Sequence, residues 1–320
     1  MTSLLQSKPL PKIYQSRALN ITNGSDAESL AAAMILLAIR AEISWGSREE
    51  DGRKIDLFLS CDHPWFDKER LIILSQVKSG LTYGEVLKDG GFKLKREAYQ
   101  HAQRTTHSIL IIWVDRDLNE VFWAYVHPHS KKTSHNYGIH HRLTPATYFD
   151  LARCVSKDLN IKSDGKGITI RKRNSNFKIR RQNVLKNYRS LKKIFCPSLG
   201  DIEVTRLAWR HMFRKGRSLN HKITSLDTIP YIKKILEDKP TEHAITAIKE
   251  WKHKKFYYRK TEHLLKYSDV KLYKELKLQN ITVLFRIIEE IRYPLNWVQT
   301  AMLTQQVERK LVFKTVYYKE

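Results

Sequence analysis

Cysteine is scarce in this chain, and what there is lies far apart. Cys61, Cys154 and Cys196 are an odd number, which suits neither a disulfide framework nor a four-ligand zinc site. Such usage fits a reducing cytoplasm. Long apolar runs are missing too. The longest, Ala31 to Ile39, is too short to cross a bilayer, and Met1 to Lys12 holds Pro9 and Pro11 but no apolar core of signal length. The expectation is a soluble, unsecreted, cytoplasmic protein with no membrane partner. No Walker-type or dinucleotide-binding glycine loop occurs, and no Gly-x-Ser-x-Gly elbow, so the commonest nucleotide-binding and serine-hydrolase signatures are absent. His127, His129, His135, His140 and His141, with His211, His221 and Cys196, lack zinc-ligand spacing, and surface or core positions are expected for them.

Acidic residues run short only in the second half. Residues 1–160 hold 21 Lys and Arg against 18 Asp and Glu, whereas residues 161–320 hold 37 against 15, so nearly all of the formal charge of +25 sits in the second half. An excess of that size implies a polyanion partner gripped through its phosphates, an acidic membrane surface or acidic protein being the alternatives. With 42% hydrophobic and 28% charged residues the chain is globular, and 320 residues suit two domains.

The stretch Leu71 to Gly80, Leu-Ile-Ile-Leu-Ser-Gln-Val-Lys-Ser-Gly, is an aliphatic strand that ends in polar groups. The strand period of two puts Gln76 and Lys78 on one face and Val77 on the other. Just upstream, Ile55 to Ser60 alternates so that Asp56 stands apart from Ile55, Leu57 and Leu59, and the intervening Cys61 to Glu69 is short enough for a hairpin-like connection. A carboxylate at one strand's start thus faces a lysine at the next strand's end. This suits phosphodiester hydrolysis, in which a carboxylate holds a hard divalent cation and a lysine steadies the attacking water or the developing charge. Strand-end charges are also ordinary solvated rim positions, and the case rests on Asp and Gln-x-Lys occurring on consecutive strands.

In chain order, an irregular arm over 1–20 precedes a helix that starts at Asn23-Gly24-Ser25-Asp26 and runs to about Ile43, with Leu30, Met34, Leu37, Ala38 and Ala41 on its packed face. Glu28 has two readings: Ser25-x-x-Glu28 is a capping box, or Glu28 is a second metal-facing carboxylate. A polar connector, Ser47 to Lys54, leads into the two strands. Gly80, Gly84, Gly90 and Gly91 mark a mobile segment, Phe92 to Thr105 reads as a helix, and Ser108 to Val114 and Val121 to Val126 read as strands. Tyr148 to Leu159 reads as a helix closing the first domain, and Lys162 to Gly167 as a linker.

The order and these residues resemble the PD-(D/E)xK, restriction-endonuclease-like superfamily over roughly Asn23 to His127. Within it they are most similar to a bacterial domain of unassigned role that carries a helix glutamate, a Gly-x-x-Asp-like strand start and a Gln-Val-Lys-Ser-Gly strand end. The resemblance implies that Asp56 and Glu28 bind magnesium, with manganese as a substitute, that Gln76 replaces the usual acidic ligand, that Lys78 is the catalytic lysine and that Tyr83 contacts substrate. The turn from Asp51 to Asp56 is looser than the family's. A role in phage defence or in a mobile element follows from that analogy alone.

The second half begins with twelve Lys and Arg against the single acid Asp164 between Lys162 and Lys193. Interleaved apolar residues there imply a folded basic face, and Arg171, Lys172, Arg173, Lys178, Arg180, Arg181, Arg210 and Arg214 are its candidate nucleic-acid contacts. Helices are expected at Asp201 to Arg214, Ser225 to Glu237, Thr241 to Lys252 and Leu295 to Val307, and strands at Phe256, Ile281 and Lys310 onward. The expected architecture is α/β, α+β overall. A restriction-endonuclease-like core, its mixed sheet flanked by helices, occupies 21–160, and a basic α+β nucleic-acid-binding domain occupies 161–320. The expected function is a magnesium-dependent DNA endonuclease, as a homodimer where both strands are cut and with a partner protein directing it. The alternative is a non-catalytic DNA-binding module on a degenerate core.

Overall fold

The structure is a computed structural model, which describes residues 19–46, 55–103, 105–128, 135–158, 167–172, 176–300 and 307–320. It has helices and mixed sheets in the α+β class and divides into two compact units: Met1–Cys61 with Arg70–Thr147, and Asp62–Glu69 with Tyr148–Glu320. The expected arm up to residue 18, the connector with Asp51, and the expected linker other than Gly167 lie outside the described residues.

The first unit opens with helix α1, Leu19–Ile39. It starts earlier than expected, so Ser25 and Glu28 are interior residues and form no capping box. It also stops short of Ile43: Arg40 takes a left-handed φ of 53°, and the strand β1, Glu42–Trp45, follows. The buried stripe is Ala27, Ala31, Ile35 and Ala38, while Leu30, Met34 and Leu37 are half-buried. Small residues on that stripe let the helix backbone come close to the strand β3, Arg70–Ser79, on which it packs.

The sheet under α1 has the order β1-β2-β3-β6-β7, with β2 at Leu57–Asp62, β6 at Ile109–Asp115 and β7 at Glu120–Val126. The pairing of β1 with β2 is antiparallel, and so is that of β6 with β7, but β3 and β6 run parallel. The bonds Asp56 N–H to Ser75 O (2.9 Å) and His63 N–H to Glu69 O (2.9 Å) bracket β2 against β3 as an antiparallel hairpin. Every residue of β6 but Asp115 is buried, which is why it reads as a continuous apolar run.

A parallel neighbour needs a crossover, and residues between β3 and β6 supply it. The glycine-rich stretch expected to be mobile forms part of a small sheet, β4 (Gly84–Val86), β5 (Phe92–Leu94) and β8 (Asn136–Tyr137), and the expected helix over Phe92 to Thr105 shortens to α2, Arg96–Ala102. Phe92 anchors this layer. Its ring lies nearly parallel to Trp113 at 5.9 Å and stacks on Tyr137 at 5.1 Å.

In the second unit the helix α3, Thr147–Asp158, appears as expected, but from Tyr148 onward it groups with this unit and does not close the first. The unit's sheet has seven strands. Six follow the order β10-β11-β15-β14-β13-β12, and β9 (Ile168–Arg171) pairs with β13. Their ranges are Lys193–Cys196, Gly200–Glu203, Glu308–Lys319, Lys277–Pro294, Phe256–Lys274 and Glu242–His253, in that order. The expected helix at Thr241 to Lys252 is therefore the strand β12, and that at Asp201 to Arg214 divides into β11 and a short helix. Helices α4 (Phe177–Ser190), α5 (Arg206–Met212), α6 (Leu219–Thr228) and α7 (Ile232–Leu236) complete the core. Of the helix expected at Leu295 to Val307, the described residues show α8, Trp297–Thr300.

A buried ionic cluster ties α3 to the sheet. Arg259 grips Asp150 bidentately at 2.6 and 2.9 Å, Asp150 also pairs with Arg153, and Arg153 reaches both Glu289 oxygens at 3.0 and 3.1 Å. Arg309 donates to Glu289 at 2.7 Å and lies over the rings of Trp65 (5.1 Å) and Phe149 (4.7 Å). Charges this far from water persist only when paired, so the cluster fixes α3 in one register. Trp65 joins the same core through its indole N–H, which donates to Pro197 O at 3.0 Å.

Candidate active site and basic surface

Asp56, Gln76 and Lys78, the residues expected to form a site, lie close together, Asp56 just before the start of β2 and the other two in β3. The Asp56 backbone N–H donates to Ser75 O, and its Oδ2 accepts from Val77 N–H at 2.6 Å, so the carboxylate is fixed against the peptide that follows Gln76. Gln76 and Lys78 share one side of β3, opposite Ile111 and Trp113 of β6 in the parallel register. Gln76 is 1% exposed, and neither its Oε1 nor its Nε2 has a hydrogen-bond partner among the described residues. Lys78 is half-buried, with its Nζ over the Tyr83 ring at 5.6 Å. Glu28 lies half-buried in the interior of α1, the helix that packs on β3.

Two glycines hold Tyr83 where Lys78 needs it. Gly80 takes φ +78°, and its carbonyl accepts from both Tyr83 N–H (3.2 Å) and Trp113 Nε1 (3.0 Å). At Gly84 a Cβ would stand 2.6 Å from the Trp113 ring, so only glycine lets the turn settle on that indole. Sequence reasoning missed one residue at this edge. Arg116, just past the end of β6, donates from Nε to Ser79 Oγ at 3.1 Å. Because β3 and β6 run parallel, their ends coincide, and this brings an exposed guanidinium to the Lys78 end of the site. The apolar run that predicts β6 was the signal that could have found Arg116.

Gln76 also tests whether the residues suit a metal. An amide buried without partners costs about 1–3 kcal/mol, and a bound cation or water is the usual resolution. Among the described residues no group of three or more His, Cys, Asp or Glu forms a metal cage. A set of the Asp56 carboxylate, the Gln76 amide oxygen and the Glu28 carboxylate is all oxygen, which suits magnesium or manganese and not zinc. The donor chemistry of these residues suits such a cation.

The basic candidates of the second unit separate. Arg180 is buried and ion-paired with Asp227, so it is no phosphate contact; the helix face that reads as solvated turns inward at this residue. Arg173 lies outside the described residues. Arg171, Lys178, Arg181, Arg210 and Arg214 are exposed and Lys172 is half-buried. The Arg181 guanidinium lies 5.5 Å from the Phe213 ring centre, beside Arg214 in sequence, which gathers two charges at one place.

No helix among the described residues is long and apolar enough to cross a membrane. Comparison of the chain with family models, with curated proteins and with solved structures finds no match.

Proposed function

We propose that the chain is a metal-dependent DNA endonuclease whose first unit cuts and whose basic second unit grips the substrate. The observation that carries this reading is the partnerless Gln76 amide, buried beside the Asp56-bound backbone on the strand that ends in Lys78. The order α1, β2, β3, α2, β6, β7 supports it, because helix, strand, strand, helix, strand, strand is the order on which the PD-(D/E)xK resemblance rests; β1 is an addition to it. Magnesium held by Asp56, Gln76 and Glu28 would neutralise phosphate charge and polarise the attacking water. Val77 N–H orients the Asp56 carboxylate. The Lys78 ammonium, steadied over Tyr83, stabilises negative charge on the phosphoryl oxygens, and Arg116 offers a second cation to the same group.

Incubating the full chain with supercoiled plasmid and magnesium tests the reading. Cleavage is expected, lost in Lys78→Ala and Asp56→Ala proteins that still bind DNA. Full activity in Lys78→Ala overturns the assignment. DNA binding with no cleavage in any metal leaves the non-catalytic module as the reading.

A further inference from the structure

A groove of about 690 Å³ runs along the second unit between the end of α4 and the start of α5. Its apolar surface comes from Leu185, Leu191 and Val204, each half-buried, and its polar border from Arg189, Arg206 and Arg210. Arg206 and Arg210 are one helical turn apart on α5, so their side chains stand on one face. All three guanidiniums are exposed and none is ion-paired among the described residues. Elsewhere in the unit acids are used up by neighbours: Glu203 by Lys310, Asp201 by Lys193 and Asp227 by Arg180.

The aromatic residues at the groove have no ring face to offer a base. Tyr188 and Trp209 are 3% and 8% exposed, Trp209 lies 5.2 Å from Tyr188 and 4.4 Å from Phe213, and the Tyr188 hydroxyl donates to Thr205 O at 2.7 Å. Single-stranded nucleic acid is held by stacking on such faces, and here they are spent on one another. What remains open is aliphatic, bordered by planar forks that match carboxylates bidentately.

We propose that this groove docks an acidic, aliphatic peptide segment of a partner protein, its apolar side chain on Leu185, Leu191 and Val204 and its carboxylates on Arg189, Arg206 and Arg210. The groove shares no residue with the Asp56–Lys78 site, and Arg210 thereby leaves the set of phosphate contacts. Charge complementarity fixes the partner's sign, and the aliphatic lining, which a duplex's phosphates leave unfilled and which offers a single strand's bases no ring face, fixes its class.

Selection of a random twelve-residue peptide display library on the full chain tests this, followed by fluorescence anisotropy of the enriched peptides. Expected are sequences pairing Leu, Ile or Val with two or more Asp or Glu, whose affinity falls about tenfold or more in Arg206→Glu/Arg210→Glu. Leu191→Ala weakens them as well. A Lys178→Glu/Arg181→Glu protein of the same net charge keeps its affinity within about twofold, which separates docking from general attraction to a cationic chain. Thermal melts check that each variant is folded. Equal loss in both double variants overturns the proposal, as does enrichment of acidic peptides without aliphatic residues. A labelled oligothymidylate or short DNA duplex that binds in place of the peptides and is lost only in Arg206→Glu/Arg210→Glu makes the groove a nucleic-acid site and also overturns it.

Discussion

The Val77 N–H and the Asp56 carboxylate are joined across the hairpin at 2.6 Å, so the acid that heads β2 is tied to the backbone midway between Gln76 and Lys78. This bond has a structural share and a chemical share that substitution separates. Asp56→Ala leaves the Val77 donor without its partner and costs about 1–2 kcal/mol, whereas Asp56→Asn keeps an acceptor and costs less. Both abolish magnesium-dependent cleavage. Urea denaturation beside a plasmid assay reads the two shares, and cleavage by Asp56→Asn at the wild-type rate counts against the metal role.

Gln76 gives the opposite pattern. Gln76→Leu removes a buried amide that has no partner, so the urea midpoint holds or rises, by up to about 1–3 kcal/mol of stability, while cleavage is lost. Gln76→Glu restores the more usual acid: cleavage survives, and stability becomes dependent on magnesium, because a buried carboxylate lacks compensation until a cation arrives. Differential scanning fluorimetry with and without magnesium measures this.

What could be read in the sequence depended on burial. Leu71 to Leu74 and Ser108 to Val114 are aliphatic because β3 and β6 lie inside the sheet, and both strands are legible. Strand β12 is not: it is largely exposed, and Ala244, Ala247, Ile248 and Trp251 recur at spacings of three and four that mimic a helix. The polar site residues were legible because strand alternation lines up Gln76 and Lys78 locally. The position of Arg116 at the end of β6 was legible, but its place beside Lys78 and the Asp150–Arg259 cluster were not, since contacts over long separations, 109 residues for Asp150 and Arg259, leave no local pattern. Arg180 misleads for the same reason: its partner Asp227 is remote in sequence.

Gly84→Ala tests the seat of Tyr83. The added methyl group meets the buried Trp113 ring, which is itself stacked on Phe92 and has no room to retreat. A loss of about 1–3 kcal/mol is expected, with a lower cleavage rate as Tyr83 moves off Lys78. The melting temperature and the cleavage rate are the readouts, and a neutral substitution refutes the packing argument.

Acid weakens the second unit through His263. Burial lowers its pKa from 6.5 to about 4, overcoming the opposing pull of Glu289, with Arg153 and Arg309 adding to the depression. The neighbouring Glu289 is itself disfavoured by burial, but Arg153 and Arg309 hold its pKa well below the usual value. His243 faces the other ring nitrogen of His263 at 3.0 Å. Between about pH 6.5 and 4 the unfolded chain binds a proton at His263 that the folded chain refuses, so stability falls as pH falls, by up to about 3 kcal/mol. Urea midpoints from pH 7.5 to 4.5 follow the decline, and His263→Gln flattens it. An unchanged slope in that variant assigns the titration elsewhere.

Residues 62–69 leave the first unit's hairpin to complete the core of the second, and that route sets a schedule for synthesis. Trp65 waits for Pro197, 132 residues downstream, and the Phe66 ring waits for Phe195, its neighbour at 5.4 Å. At about 5–20 residues per second the ribosome needs roughly 7 to 26 seconds to deliver them, and Arg309 comes later still. During that interval two large aromatic side chains are without their partners. Nascent chains halted before residue 195 are therefore the species a holding chaperone meets, and the length at which it lets go marks the moment the second core closes.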